Sequence, residues 1–288
     1  MILGIDLGNY ATKSSKGISF LSKVCLSGGF EENGENILLD GVKFYLGEGD
    51  FDTEYRKAYK SNLLPILYGA IALSTSDKSN CIVLGLPLSQ YKEDKEYLTN
   101  LVLQNSKKEI EINGVIRKVI IEDVEIVPEG VSAADEDFEG IIIDIGGRTT
   151  DICLIQQEGN RRKVRKPYSI PKGILNLESD YINIINKRYG LDLLPGDAQR
   201  ILREGLKIYG EPQKIDFAME VYKTFVDGLI SQVQVDYPVK TYNILLVGGG
   251  AELLYNPIKK RLPNAELINN SFWGNALGYE RIGKEIWQ

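Results

Sequence analysis

Apolar and polar positions alternate along this chain in a pattern that occurs twice. Residues 141–155, IIIDIGGRTTDICLI, read as a buried strand, a tight polar turn and a second strand, and ILGIDLGNYATKSS at the start follows the same plan. The pattern predicts a hairpin at each place, with Asp-x-Gly in each turn: Asp6 and Gly8 in the first, Asp144, Gly146 and Gly147 in the second. Between them, helical spacing over 53–74 is interrupted by Pro65, CIVLGLP reads as a buried strand, and 89–105 as an amphipathic helix. Asn113-Gly114 between alternating segments predicts a further hairpin, leading through a strand to the loop VPEGVSAA. After the second hairpin come a turn at EGN, a basic strand, helices over about 173–189, 195–208 and 214–235, a strand YNILLV, the turn GGGAEL with a short helix, and a closing helix from Ser271. Hairpins followed by helices, twice over, predict two related α/β halves whose sheets mix parallel and antiparallel strands.

Composition narrows the chemistry. A chain of 288 residues with 43% hydrophobic content has enough apolar surface for one large or two modest cores. A net charge of −6 provides no global field to recruit nucleic acid or an anionic membrane, so direct DNA binding and membrane partners are not expected. The start lacks a signal-peptide pattern and no apolar run approaches about 20 residues, which points to a cytoplasmic protein. Three widely spaced cysteines form neither a metal-ligand nor a disulfide pattern. The chain has no histidine, so any catalysis falls to carboxylates, hydroxyls, lysine, backbone amides and a hard cation.

Glycine lets backbone amides close on an anion, so two such turns facing each other form a clamp for a polyphosphate. Carboxylates as close to that anion as Asp6 and Asp144 are suited to a divalent cation such as Mg²⁺ held largely through water. A single Asp-x-Gly is an ordinary turn; two in matched strand contexts favour the clamp. Lys13 either reaches a phosphate or faces solvent, and Thr149 either donates to phosphate or serves strand geometry. Gly248, Gly249 and Gly250, between a strand and a helix start, suit a nucleotide's ribose and proximal phosphates, though a close-packed turn has the same composition. Glu129 is either a helix-start carboxylate or, beside such a cleft, the group that orients an attacking water. The run Arg161, Arg162, Lys163, Arg165 and Lys166 reads better as a charged sheet edge than as a nucleic-acid patch, and Cys81 and Cys153 read as inert core residues.

These residues resemble the actin, heat-shock-chaperone and sugar-kinase superfamily. DLGNYATK is similar to its first phosphate motif, DIGGRTTD to its second, VPEGVSAA to its connecting motif and VGGGAEL to its adenosine motif, in the family's order over nearly the whole chain. Within the superfamily, GLPLSQY, VEIVPEGVSAA, IIIDIGGRTTDI and LLVGGGAELL look most like plasmid-segregating bacterial actins of the ParM and AlfA type. The resemblance implies an actin-like two-domain fold of duplicated ribonuclease-H-like halves, with ATP or GTP and Mg²⁺ between them. Domain I is then 1–130 plus 272–288 with a small peripheral subdomain at about 28–62, and domain II is 131–271 with its own at about 174–240. It further implies slow nucleoside-triphosphate hydrolysis coupled to self-assembly into filaments, which move plasmid DNA through a DNA-binding adaptor at a centromere-like site.

By motif position, Asp6 and Asp144 hold the Mg²⁺ water shell and Glu129, with Asp144, serves catalysis. Gly8, Asn9, Lys13, Gly146, Gly147 and Thr149 contact phosphates, Gly248–Gly250 face the nucleoside, and Arg203 and Glu204 fall where ribose or base contacts are made. Arg148 stands where the family usually has a small residue, and the short segment before GLPLS implies a reduced peripheral subdomain. A small-molecule kinase of pantothenate or sugar type is the alternative; it needs an aspartate base for an acceptor hydroxyl, whereas the PEG loop presents Glu129. A chaperone-like ATPase needs an added substrate domain, for which no residues remain.

Overall fold

The computed structural model describes residues 1–26, 34–159 and 161–288. Residues 28–33 of the expected peripheral subdomain, Asn160 of the expected EGN turn and the Arg161 side chain of the expected basic strand lie outside the described part. The first half begins with the expected hairpin, β1 (Ile2–Leu7) and β2 (Ala11–Ser14), followed by β3 (Ser19–Leu21), β4 (Lys23–Cys25), β5 (Asn36–Leu39) and β6 (Val42–Phe51). Helix α1 (Leu63–Ser74), β7 (Ser79–Leu86), α2 (Tyr91–Gln104), β8 (Lys107–Ile112) and β9 (Val115–Pro128) complete it. Asn113 and Gly114 both have positive φ, 50° and 80°, as a two-residue turn matched to strand twist requires.

The nine strands form one sheet in the order β3-β2-β1-β7-β9-β8-β5-β6-β4, with β7 parallel to both β1 and β9. Its edge strands β3 and β4 are consecutive in the chain, joined through Ser22, so the sheet curls back on itself. Helix α1, apolar on nearly every side, fills the curl and touches β1, β2, β5, β6, β8 and β9. A helix hydrophobic all round is stable only when buried on all sides, and this sheet provides that.

The second half repeats the plan. Hairpin β10 (Gly140–Ile145) and β11 (Thr150–Glu158) is followed by β12 (Arg161–Ile170), α3 (Ile174–Tyr189), α4 (Ala198–Glu204), β13 (Leu206–Ile208) and β14 (Glu211–Gln213). Then come α5 (Glu220–Asp236), β15 (Asn243–Val247), α6 (Gly249–Lys259), β16 (Ala265–Leu267) and α7 (Gly274–Trp287). Five strands form a sheet in the order β12-β11-β10-β15-β16, and β15 lies parallel to β10 as β7 does to β1. Each sheet supports its own apolar core. Helix α7 crosses back to the first half and packs on β1 and β7, where Gly4 admits it: a Cβ on Gly4 would lie 2.1 Å from the Ala276 carbonyl oxygen.

Four elements differ from the expected pattern. Residues 53–62 form an extended strap with one 3-10 turn, Lys57–Tyr59, and the helix starts at Leu63. Pro65 falls inside its first turn, where an N–H has no intrahelical acceptor and its loss costs nothing. The helix expected over 195–208 ends at Glu204, since Gly205 takes φ +78° and turns the chain into β13. Residues 216–219 and 271–273 are 3-10 turns preceding α5 and α7 rather than parts of them. Among the described residues no helix is long and apolar enough to cross a membrane.

The close approach at Gly4 carries a stability prediction. Gly4→Ala forces a methyl against backbone and destabilises by about 1–3 kcal/mol. Gly228, inside α5, has nothing within 4 Å of an added Cβ, so Gly228→Ala stabilises by about 0.5–1 kcal/mol through helix propensity. Urea unfolding midpoints check both, and a Gly4→Ala midpoint at or above the parent's contradicts the packing of α7.

Candidate active site

The strand register sets the chemistry of the cleft. In the first hairpin Asp6 pairs with Lys13 across the strands, and in the second Asp144 pairs with Asp151. The same place in the two halves thus holds an acid beside a base and an acid beside an acid. Lys13 Nζ lies 2.8 Å from Asp6 Oδ2, and Lys57 Nζ lies 3.5 Å from Asp6 Oδ1. Burial alone would raise the Asp6 pKa, but Lys13 and then Lys57 outweigh it and hold the group below its ordinary value. Asp144, fully enclosed, is pushed up to about 7 by burial and then by the charges of Glu129, Asp151 and Asp6, against a hydrogen bond from Asn275. Asp151 is pushed up to about 6 by burial and Glu129, opposed by hydrogen bonds from Ser169 and Thr149.

Backbone geometry brings the two turns together. A Cβ on Gly147 would lie 2.8 Å from the Tyr10 backbone nitrogen, so the second turn touches the first only because residue 147 has no side chain. Because β15 lies beside β10 with Val247 opposite Asp144, the three-glycine turn falls next to the second hairpin. Gly248 takes φ +92°, and a Cβ there would lie 2.5 Å from Asp144 Oδ1. Helix α6 starts at Gly249, with its first bare N–H groups at the cleft wall. Asn275 of α7 ties the halves: its Oδ1 accepts from Gly130 N at 2.9 Å and its Nδ2 donates to Asp144 Oδ2 at 2.9 Å.

The turns enclose one cavity of about 620 Å³, within the range of small-molecule and cofactor sites. Asp6, Gly8, Asn9, Lys13, Glu129, Asp144, Gly146, Gly147, Thr149, Arg203 and Gly248–Gly250 all line it. Glu204 does not; it is exposed and meets the site only through Arg203, at 3.0 Å. Glycines, Lys13 and carboxylates supply the polar part of the cavity wall, and Ile174, Leu202, Leu253 and Phe272 its apolar part. Among the described residues, no three acidic or thiol groups are close enough together to hold a bare metal ion.

Three participants escaped sequence reasoning: Lys57, Asn275 and the partner role of Asp151. The register of the hairpin could have found Asp151. Lys57 is 3% exposed at its side chain and forms a salt bridge with Glu129 Oε1. Burial would lower its pKa, but Glu129 and then Asp6 raise it above the ordinary lysine value. Arg148 reaches across the cleft, its guanidinium donating to the Glu54 carbonyl at 3.3 Å.

The remaining chemical candidates are structural. Arg162 donates to the Val131 carbonyl, Lys166 to the Asp236 carbonyl, and Lys163 and Arg165 both pair with Glu158, so these charges of the basic run are engaged within the chain. Cys153 is buried in β11, with its thiol pushed up to about 12 by burial, and Cys81 is half-buried in β7.

Comparison with known proteins agrees with this architecture. Residues 4–131 match the family model for the actin-like proteins N-terminal domain. A 15-stranded ParM filament from Clostridium botulinum superposes with a TM-score of 0.82 at 20% identity over 99% of both chains. The archaeal actin homolog Ta0583 in complex with ADP gives 0.84 at 20% identity, also over 99% of both. An AlfA filament bound to AMPPNP gives 0.61 at 20% identity, covering 100% of this chain and 99% of that one. No curated protein matches the chain. The fold is actin-like, as the four motifs imply.

The buried acid pair makes stability depend on pH. The folded pKa of Asp144, about 7, lies above its unfolded value, so the folded state holds a proton that the unfolded state has lost. Its contribution is therefore greatest at low pH and declines as pH rises toward 7. Asp144→Asn should stabilise the nucleotide-free protein by an amount that grows with pH, by at most about 1.4 kcal/mol per unit, and levels off above neutrality. Thermal melts of both proteins between pH 4.5 and 8.5 measure it; a difference independent of pH rules out the strained carboxyl.

Proposed function

We propose that this chain is a filament-forming nucleoside triphosphatase that binds ATP with Mg²⁺ between its two halves. The observation carrying this reading is the contact of two matching Asp-x-Gly turns, Gly147 against Tyr10, across one cavity that also receives the bare start of α6. The solved relatives named with ADP and AMPPNP favour ATP over GTP, and the ParM and AlfA filaments favour self-assembly. The finer reading, plasmid segregation through a DNA-binding adaptor, rests on the same likeness. The domain partition, 1–130 plus 272–288 and 131–271, is supported by the packing of α7 on β1 and β7.

The donor set fits a water-clad divalent cation better than a directly caged one. Asp6 already pairs with two lysines, and Asp144 is under pressure from three other carboxylates that a cation would relieve. Asp6 and Asp144 are the residues to hold its water shell. The ion supplies charge neutralisation and polarises the terminal phosphate. Lys13 and the amides of Gly8, Asn9, Gly146 and Gly147, with the Thr149 hydroxyl, hold the phosphate chain. Gly248–Gly250 and Arg203 take the nucleoside, with Glu204 acting behind Arg203. The Glu129 carboxylate accepts a hydrogen bond from a water and aims its oxygen at the terminal phosphorus; the water oxygen bonds to that phosphorus as its bond to the diphosphate oxygen breaks, the diphosphate leaves as ADP, and the water's proton passes to the released phosphate.

A triphosphate held by both turns favours the closed arrangement by its difference in affinity for the closed and open states, and hydrolysis removes that bias. Head-to-tail contacts between closed molecules do not close on themselves and give open filaments.

Sedimentation and light scattering with Mg²⁺ and ATP, GTP or AMPPNP test the reading. ATP and AMPPNP should give pelletable polymer, longer-lived with AMPPNP, and EDTA should abolish it. Absence of purine-nucleotide uptake by calorimetry overturns the site. Nucleotide-dependent phosphorylation of a small alcohol or pantothenate, without polymer, transfers the assignment to a kinase. Glu129→Gln should retain nucleotide binding and assembly while slowing phosphate release about 100-fold or more; release at the parent rate removes Glu129 from water positioning.

A further inference from the structure

The strap between β6 and α1 carries Lys57 to the back of the cavity wall, and its anchoring is more extensive than a connection needs. Asp52 Oδ2 accepts from the Ser61 N–H at 2.9 Å and the Ser61 hydroxyl at 2.8 Å, closing the strap at its base. Arg56 Nε donates to Asp94 Oδ2 at 3.1 Å, and the Tyr59 ring stacks on Tyr97 with centroids 4.2 Å apart, which fastens the strap to α2. Gln90 holds the main chain from both sides, accepting from Lys57 N at 2.9 Å and donating to the Tyr55 carbonyl at 3.1 Å. The backbone of Lys57 is therefore fixed before its side chain makes any contact.

That side chain lies behind the cavity wall rather than in it. Its ammonium bonds Glu129 Oε1 and sits 3.5 Å from Asp6 Oδ1, with 3% of the side chain exposed. Glu129 itself lines the cavity, and its backbone is pinned by its N–H donating to the Leu86 carbonyl at 2.9 Å. With Oε1 taken from behind, Oε2 is left to hold a water. Asp6 has a second cation in Lys13, so the more demanding contact of Lys57 is with Glu129.

We propose that Lys57 is a positioning residue for hydrolysis, which fixes the orientation of the Glu129 carboxylate from behind so that its free oxygen holds the attacking water. The proposal rests on the assignment of Glu129 above. It requires no contact between Lys57 and nucleotide. A residue of this kind acts through its partner, so its loss affects turnover rather than binding and has no effect once the partner is gone.

The experiment is a double-mutant cycle on phosphate release by the full chain with Mg²⁺-ATP, using Lys57→Met, Glu129→Gln and the double variant, with ATP affinity measured for each. Lys57→Met should lower kcat about 10- to 100-fold with KM within about threefold of the parent. Added to Glu129→Gln, it should cause no more than about a twofold further loss. Lys57→Arg, which keeps the charge, should recover part of the activity. Unchanged kcat, a raised KM with kcat retained, or the same fold-loss in both backgrounds overturns the proposal. If Lys57→Met alone does not fold, the double variant, which removes both charges of the pair, is compared with Glu129→Gln: equal turnover supports the proposal and a further loss overturns it. A parent that binds ATP and releases no phosphate overturns the hydrolase reading itself, a result distinct from any of these.

Discussion

Five carboxylates line one cavity, and the rest of the molecule is arranged around the cost of placing four of them there: Asp6, Glu129, Asp144 and Asp151 are buried or half-buried, while Glu252 is exposed. Among the described residues, lysines offset only the first two: Lys13 and Lys57 for Asp6, Lys57 for Glu129. Asp144 and Asp151 have amide and hydroxyl donors but, among the described residues, no cation of their own, and both are pushed toward protonation. An ionised carboxylate out of water is stable only if something positive or strongly hydrogen-bonding replaces its hydration. The chain provides lysines for Asp6 and Glu129 and only neutral donors for Asp144 and Asp151.

This asymmetry lies within a duplication. Both halves place an antiparallel hairpin beside a parallel strand, and both turn at Asp-x-Gly. Across the hairpin from each first aspartate, one half has Lys13 and the other Asp151. A change at a single register position thus gives two similar loops opposite electrostatic character, one neutral by pairing and one short of positive charge. The glycines set how closely the loops can meet: at Gly147 a methyl would collide with Tyr10, and at Gly248 with Asp144.

Much of this was legible in the sequence because it is local. Asp-x-Gly between apolar runs, three glycines after a strand, and Asn113-Gly114 between alternating segments each encode a backbone conformation within a few residues, and each folds as read. Glu129 was legible as a carboxylate in a turn, though not the lysine behind it. Lys57 lies in TEYRKAYKSN, a polar stretch read only as part of the helical spacing over 53–74; its burial depends on a carboxylate 72 positions away. Asn275 likewise meets Asp144 across 131 positions. No periodicity records such pairings. The helix expected over 195–208 failed for a different reason: apolar spacing continued past Gly205, but a left-handed glycine ended the helix regardless.

The strap also bears on how the outer part of the first half communicates with the cleft. Strand β6 pairs with β5 and the edge strand β4, whereas Lys57, six residues beyond its end at Phe51, lies against Asp6 and Glu129. The same segment accepts a hydrogen bond at the Glu54 carbonyl from Arg148, whose neighbours Gly147 and Thr149 line the cavity. Its Lys60 bonds the Asn9 side chain in the first turn. One ten-residue segment thus touches Glu129, the first turn and the second. Under the proposed function, those contacts would let the periphery bear on the orientation of Glu129 without any change in the nucleotide's own contacts.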